Sequence, residues 1–246
     1  MSDVAAPEGG ALTITVGGVE TTLRTSGALW LAQDRMLVVA DLHLEKGSAY
    51  AAKGQMLPPY DTRETLDRLH SEIAALSPRS VVLLGDTLHD REAEARIAVP
   101  ERERLRALAR RLQLIWICGN HDPDGAGELG GETTDVVEVA GLVLRHDPSP
   151  YPVRGEVAGH LHPCARVHGP AGGVRRRCFA SDGHRLILPA FGAYAGGLNL
   201  LDAAFTPLFE TRPMAFALGR RVTAVAHDRL RPDGAHRSAR TSGSPP

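Results

Sequence analysis

The chain has 246 residues, of which 43% are apolar and 23% charged, and a formal net charge of −1; this suits a single α/β domain with a substantial core. The near-neutral balance offers no broad basic surface for nucleic acid, and no apolar run reaches membrane-spanning length. Three cysteines without C-x-x-C spacing, Cys118, Cys164 and Cys178, exclude a disulfide framework, and Cys118 reads as core packing.

The first ten residues lack a basic n-region and an apolar h-region, so a cytoplasmic location is expected. Residues 12–16 and 28–32 read as opening strands. The apolar run 36–40 is a buried strand that ends at Asp41-Leu42-His43. Residues 55–60, with Pro58 and Pro59, form a rigid loop that shapes access to the preceding cluster. Asp61-Thr62-Arg63-Glu64 is a capping-box-like start for a helix whose apolar stripe is Leu66, Leu69, Ile73 and Leu76, stopped by Pro78. The chain then returns through the strand 81–84, a β-α-β crossover, to Gly85-Asp86-Thr87-Leu88-His89.

Pro100 suits the first turn of a second helix, with Leu105, Leu108 and Leu112 buried and its arginines turned to water. The strand 114–118 runs into Gly119-Asn120-His121-Asp122, and 142–144 leads to His146. Gly159-His160-Leu161-His162 follows. Residues 185–188, 198–201 and 214–218 then read as strands of a second sheet packed on the first. From Asp228 onward Arg, Pro, Gly, Ser and Ala dominate without periodicity, so the expectation is one domain over 1–227 and a disordered tail over 228–246.

Asp41, His43, Asp86, Asn120, His146, His160 and His162 supply carboxylate, imidazole and amide donors, and most of them follow a strand, where open α/β folds bind ligands. Any single cluster is ordinary chemistry in a chain with 11 histidines; their fixed order is what carries the signal. The donor set overfills one zinc but suits two metals that share a carboxylate, for which Asp86 is the natural bridge. Without a thiolate, a set of carboxylate, imidazole and amide donors suits Mn2+, Fe or Zn better than an iron–sulfur cluster, and Mn2+ is the first expectation. The pairs Asp41/His43 and His160/His162 face one side if their backbones are extended. Gly85, Gly119 and Gly159 let the chain turn tightly beside a metal.

This series resembles the calcineurin-like metallophosphoesterase superfamily, whose pattern is D-x-H, G-D-x-x-(D/H), G-N-H-(D/E), H and G-H-x-H, over roughly residues 36 to 200. The resemblance implies a four-layer α/β/β/α sandwich of two mixed sheets. It implies one metal on Asp41, His43, Asp86 and His162, and a second on Asp86, Asn120, His146 and His160. His121 is then the general acid, and a metal-bridging hydroxide attacks phosphorus. Protein phosphatases of the superfamily usually carry Asp where this chain has His89, followed by Arg-Gly; the histidine looks more like the nuclease branch, where it lies beside the Gly-Asn-His histidine and assists it. His89 and His121 therefore make up the implied catalytic pair.

The stretches 41–50, 58–65 and 188–199 resemble the PdeM group, bacterial endonucleases of the DNA damage response associated with a DNA ligase and a helicase. The resemblance implies a DNA phosphodiesterase with those repair partners. The alternatives are a small-molecule phosphatase or nucleotide phosphodiesterase on the same fold and, last, a non-catalytic scaffold, against which the complete ligand set argues. Arg154, Arg166 and Arg175-Arg176-Arg177 lie near the last cluster in sequence and suit a phosphate-binding rim as well as a solvated turn. With 4% aromatic residues, contact through backbone phosphates is favoured over base stacking. Glu45 and Lys46 read as a surface pair.

Overall fold

The computed structural model describes residues 8–55, 57–169 and 172–233. The first sheet runs β1 (Leu12–Val16), β2 (Val19–Leu23), β3 (Leu29–Leu31), β4 (Met36–Val39), β5 (Ser80–Leu84), β6 (Gln113–Ile117) and β7 (Glu132–Thr134) in spatial order. It is antiparallel as far as β4 and parallel from β4 to β7. The second sheet holds β8 (Val136–Val139), β9 (Leu142–Arg145), β10 (Glu156–Ala158), β11 (Cys164–Gly169), β12 (Gly172–Ser181), β13 (Leu186–Ile187), β14 (Met214–Ala217) and β15 (Thr223–Val225). Its order is β15-β14-β12-β13-β10-β9-β8, with β11 paired to β12 alone. β9, β10 and β13 are parallel neighbours.

The strand period of two separates the cores. Val38, Val82, Leu84 and Ile115 face Leu142, Leu144, Val157 and Phe179 across the two sheets. The alternate residues Leu37, Val39, Val81, Leu83 and Trp116 face the helical layer. That layer holds α1 (Lys46–Ala52), α2 (Asp61–Leu76), α3 (Ala93–Arg96) and α4 (Val99–Arg111). Leu66 and Leu69 of α2 and Leu105 and Leu108 of α4 are buried, each worth about 1.5–3 kcal/mol of apolar transfer. The outer face of the second sheet is covered by the 3-10 helix Ala203–Leu208 and irregular chain, with Phe205, Leu208 and Phe209 turned inward. The architecture is thus an α/β sandwich of two mixed sheets, and its fourth layer is thin.

Three expectations change. Residues 198–201 make a single bridge, Cys164 to Asn199, and then turn, because the Asn199 side chain accepts from the Leu201 N–H at 3.0 Å. The capping box does not form: Asp61 starts α2, and its carboxylate accepts instead from the Gly47 N–H at 2.9 Å, joining α2 to α1. The tail was placed too early. Leu230 is 3% exposed against the outer core, it bridges to Val167, and the Arg231 N–H donates to the Arg166 carbonyl at 2.8 Å. The remainder of that segment, 234–246, lies outside the described residues. The arginines of α4 mostly face solvent, where Arg104 pairs with Asp67 and Arg106 with Glu103; Arg102 is half-buried and donates to the Glu94 carbonyl at 3.0 Å. No helix among the described residues is long and apolar enough to cross a membrane.

Candidate metal centre

All seven predicted ligands lie just beyond the C-terminal ends of parallel strands. Asp41 and His43 follow β4, Asp86 follows β5, Asn120 follows β6, His146 follows β9, and His160 and His162 follow β10. The last of these strands is too short, at three residues, to have been read from the sequence. Because β4, β5 and β6 point one way, and β9 and β10 are likewise parallel, the five clusters meet at one end of the sandwich.

Among the described residues three groups of donors form there: Asp41 with His43 and His162, Asp86 with His146 and His160, and, sharing His43 with the first, His43 with His89 and His121. In the first, His162 Nε2 stands 3.0 Å from Asp41 Oδ1 and 3.3 Å from His43 Nε2. In the second, His146 Nε2 stands 3.4 Å from Asp86 Oδ2, 3.3 Å from His160 Nδ1 and 3.0 Å from Asn120 Oδ1. These separations match the edge of a coordination shell: ligands about 2.1 Å from a cation lie roughly 3.0–3.4 Å apart in octahedral or tetrahedral geometry. The first two groups abut, with His146 Nδ1 3.8 Å from Asp41 Oδ1.

The electrostatics call for a cation. Asp41 and Asp86 are 0% and 2% exposed, and among the described residues their only ion-pair partners are histidines. Two buried carboxylates without Lys or Arg are costly unless something positive sits between them. Burial disfavours a charge on His146, but its hydrogen bond to Asp86 and the charges of Asp41 and Asp86 overcome this and push it up to about 9. Burial and the neighbouring His162 push His43 down to about 2, leaving a neutral imidazole suited to ligation. His146 Nδ1 donates to the Leu84 carbonyl at 3.1 Å, which turns Nε2 into the group. The donor set, its burial and its spacing all fit divalent metals.

The i,i+2 pairs do not converge through an extended pleat. Asp41, His43, His160 and His162 have φ of 55°, 45°, 68° and 47°, so tight left-handed turns bring them together. Of the three glycines only Gly85 makes a left-handed turn, at φ 73°; what they share is close approach, since a Cβ on Gly85 would run into the His146 ring and one on Gly119 into Asp86.

His121 stands at the mouth, its side chain 41% exposed, with Nε2 3.9 Å from Asp86 Oδ2. Its Nδ1 donates to the backbone carbonyl of His89 at 2.7 Å, and its own N–H donates to Asp86 Oδ1 at 2.9 Å. The His89 ring stacks on His121 at 5.4 Å, and Tyr50 lies beyond it at 6.1 Å. His89 thus meets His121 as predicted, with its carbonyl holding the ring's orientation. Burial and Lys46 lower the basicity of His89.

Asp122, read only as part of its motif, holds two ligand loops together. Its carboxylate, 4% exposed, accepts from the N–H groups of Thr87 (2.8 Å), Leu88 (3.0 Å) and Gly119 (3.1 Å). A buried aspartate three residues after a glycine was the signal available in the sequence. The 188–199 stretch is a second such support. Phe191 and Gly192 donate to the carbonyls of Ala40 and Asp41, and a Cβ on Gly197 would strike the His162 carbonyl. The Tyr194 hydroxyl reaches the Pro58 carbonyl at 2.9 Å, tying this stretch to the loop before α2, of which Met56 lies outside the described residues. Glu45 accepts from the Thr62 hydroxyl at 2.8 Å and forms no pair with Lys46 among the described residues. Cys118 is half-buried on the rim of a cavity it shares with Asn120, Arg145 and His146, not sealed in the core.

Compared with known families, residues 35–200 match the calcineurin-like phosphoesterase family. Among solved structures, a nuclease from Pseudomonas putida, MPE, is 29% identical, covers 87% of this chain and 100% of its own, and superposes with a TM-score of 0.69. The Escherichia coli phosphoesterase Yfce is 16% identical, with 78% of this chain and 98% of its own covered and a TM-score of 0.39. No curated protein matches. The chain belongs to the calcineurin-like phosphoesterase family and is a metal-dependent phosphoesterase.

Proposed function

We propose that this phosphoesterase is a two-metal phosphodiesterase that cuts DNA internally, in repair. The observation that carries the reading is the pair of abutting donor groups with the half-exposed His121 at their mouth. The Pseudomonas putida nuclease, matched over its whole length, supports nucleic acid as the substrate class.

In this reading Asp41, His43, Asp86 and His162 hold one cation, and Asp86, Asn120, His146 and His160 hold the other, with Mn2+ the first choice and Fe or Zn the alternatives for this oxygen and nitrogen donor set. Bound there, the pair supplies Lewis-acid polarisation of the phosphoryl group and neutralises its developing charge. His121 is the general acid. Its Nδ1–H is committed to the His89 carbonyl, so the proton given to the leaving sugar oxygen comes from Nε2, the atom turned toward Asp86. His89 holds that ring by stacking and through its carbonyl. DNA as substrate suits the cytoplasm, and a DNA ligase and a helicase are the partners this reading adds.

The test is Mn2+-dependent cleavage of circular single-stranded and supercoiled DNA by the purified chain, with Asp86→Ala as the contamination control. Cleavage by the wild type alone is expected. Silence on DNA, with nitrophenyl phosphate esters still turned over, would replace this reading with a small-molecule phosphatase or nucleotide phosphodiesterase.

A further inference from the structure

The second sheet carries an arm that the phosphoesterase chemistry does not use. β12 is 10 residues long, yet only Cys178–Ser181 pair with β14, and only Ala180 and Ser181 with β13. Its first half pairs with β11 alone, so β11 and β12 leave the sheet as a two-stranded ribbon whose residues 172–176 are exposed.

The root of this ribbon is fastened to the metal centre. β11 begins two residues after His162, and the Cys164 N–H donates to the Leu198 carbonyl at 2.7 Å. Arg177, at the base, donates to the Ala190 carbonyl at 2.7 Å, in the segment that also binds Ala40 and Asp41. Arg175 donates to the Gly197 carbonyl at 2.6 Å, beside the His162 backbone.

The register then sets cations outward from that root. Arg166 lies directly opposite Arg175, and Val174 and Gly173 follow opposite Val167 and His168. Residues that face each other across a strand pair point to the same side, as do residues two apart, so Arg177, the Arg166–Arg175 pair and His168 share one face at steps of about 6.8 Å. Steps of this size are of the order of the spacing between neighbouring phosphates on a strand. Gly173 leaves room for this face: a Cβ there would lie 3.1 Å from the His168 ring and 3.5 Å from Arg166 Nε. Arg176 stands on the opposite face.

Like charges placed directly opposite destabilise a strand pair. Asp233 relieves Arg175 at 3.2 Å, but neither Arg166 nor Arg176 has a carboxylate within ion-pair distance among the described residues. Arg231, whose N–H donates to the Arg166 carbonyl, brings a further cation to the same edge. In a chain of net charge −1 this is a local concentration of positive charge next to a phosphoesterase centre. Arg154, predicted to join it, does not: it donates to His184 before β10 begins, at the far end of that strand from His160.

We propose that the β11–β12 ribbon is a nucleic-acid-binding arm, on which Arg166 and Arg175, from their shared face, hold the phosphodiester backbone on the His162 side of the metal centre. The assignment rests on the nucleic-acid reading above and adds where the strand lies.

The test compares the full chain with Arg166→Ala and Arg166→Lys in Mn2+-dependent DNA cleavage over a range of salt, with Arg176→Ala on the opposite face as the control. Arg166→Ala should raise KM for DNA several-fold, leave kcat in place and flatten the log–log salt dependence by about 0.7–0.9, the slope of one phosphate contact. Arg166→Lys, which keeps the charge, should restore the slope. An unchanged KM and slope in Arg166→Ala would overturn the arm, as would an equal change in Arg176→Ala or a fall in kcat that lysine does not rescue. A wild type that leaves DNA uncut would defeat the nucleic-acid reading itself, and the arm with it, before any variant is compared.

Discussion

Replacing Asp122 with Asn tests whether one buried carboxylate sets the spacing of two ligand loops. Oδ2 accepts from Thr87 and Leu88 at 2.8 and 3.0 Å, and Oδ1 accepts from Gly119 at 3.1 Å. An asparagine keeps one acceptor oxygen. Its best orientation leaves that oxygen on Thr87 and Leu88 and points an NH2 at the Gly119 N–H, donor against donor. Orphaning that buried N–H costs about 1–3 kcal/mol, and the loss of charge weakens the two surviving bonds by roughly 1 kcal/mol each. The sum is about 3–5 kcal/mol, within the 5–15 kcal/mol typical of a domain, so the variant should still fold. Thr87 follows Asp86 and Gly119 precedes Asn120, so the strain falls on two ligands of one metal group; metal affinity and kcat should drop about 10–100-fold. Urea unfolding, metal titration and bis-nitrophenyl phosphate turnover read all three quantities. A variant within 1 kcal/mol of wild type and with undiminished metal affinity would refute the claim that Asp122 holds the loops.

His121→Ala should slow cleavage of DNA or alkyl diesters by about 10²–10⁴-fold and hardly affect bis-nitrophenyl phosphate, whose leaving group needs no proton; equal losses would remove the general-acid role. Chelation should lower Tm by about 5–10 °C, from roughly 2.7 kcal/mol of binding at a hundredfold excess over Kd, with recovery on adding Mn2+. An unchanged melting curve would mean that Asp41 and Asp86 do not depend on a cation. Leu230→Ala should cost about 2–4 kcal/mol, because the side chain is 3% exposed against the outer core; a neutral result would return residues 228–233 to a solvated tail.

The sequence exposed what periodicity and punctuation encode. Runs such as 81–84 and 114–117 are buried on both faces and therefore uniformly apolar, and the helical stripe through Leu66 and Leu69 has one unbroken face. What stayed hidden was short or mixed. β10 shows only Glu-Val-Ala, and its Glu156 is buried because it pairs with Arg185 at 2.8 Å, a contact between residues far apart in the chain. The outer half of β12 is polar and exposed, so it read as an arginine-rich turn. Asp61 looked like a helix cap because the competing donor, Gly47, belongs to another helix. The candidate donors were legible by type and order; their backbone conformation was not.

That conformation bears on how the site is built. Five of the seven candidate ligands, Asp41, His43, Asp86, His160 and His162, have φ between 45° and 68°. Asp and His visit this region more readily than most residues, but each such position still costs on the order of 1 kcal/mol. The cost is met by the backbone itself. The N–H groups of Asp41, His43 and Leu44 donate to the carbonyls of Gly85, Asp86 and Thr87 at 3.1, 2.9 and 2.8 Å, and the His89 N–H returns to Leu44 at 3.0 Å. The first two ligand loops therefore continue the parallel ladder of β4 and β5 past its regular end. The His160 N–H donates to the Asp41 carboxylate at 3.0 Å, which links the second sheet's loop to the first. These bonds are all between protein groups, so the sheets themselves set where the donor atoms stand. Chelation should accordingly loosen the centre without unfolding the sandwich, and a substitution that breaks the loop ladder should damage both metal groups at once.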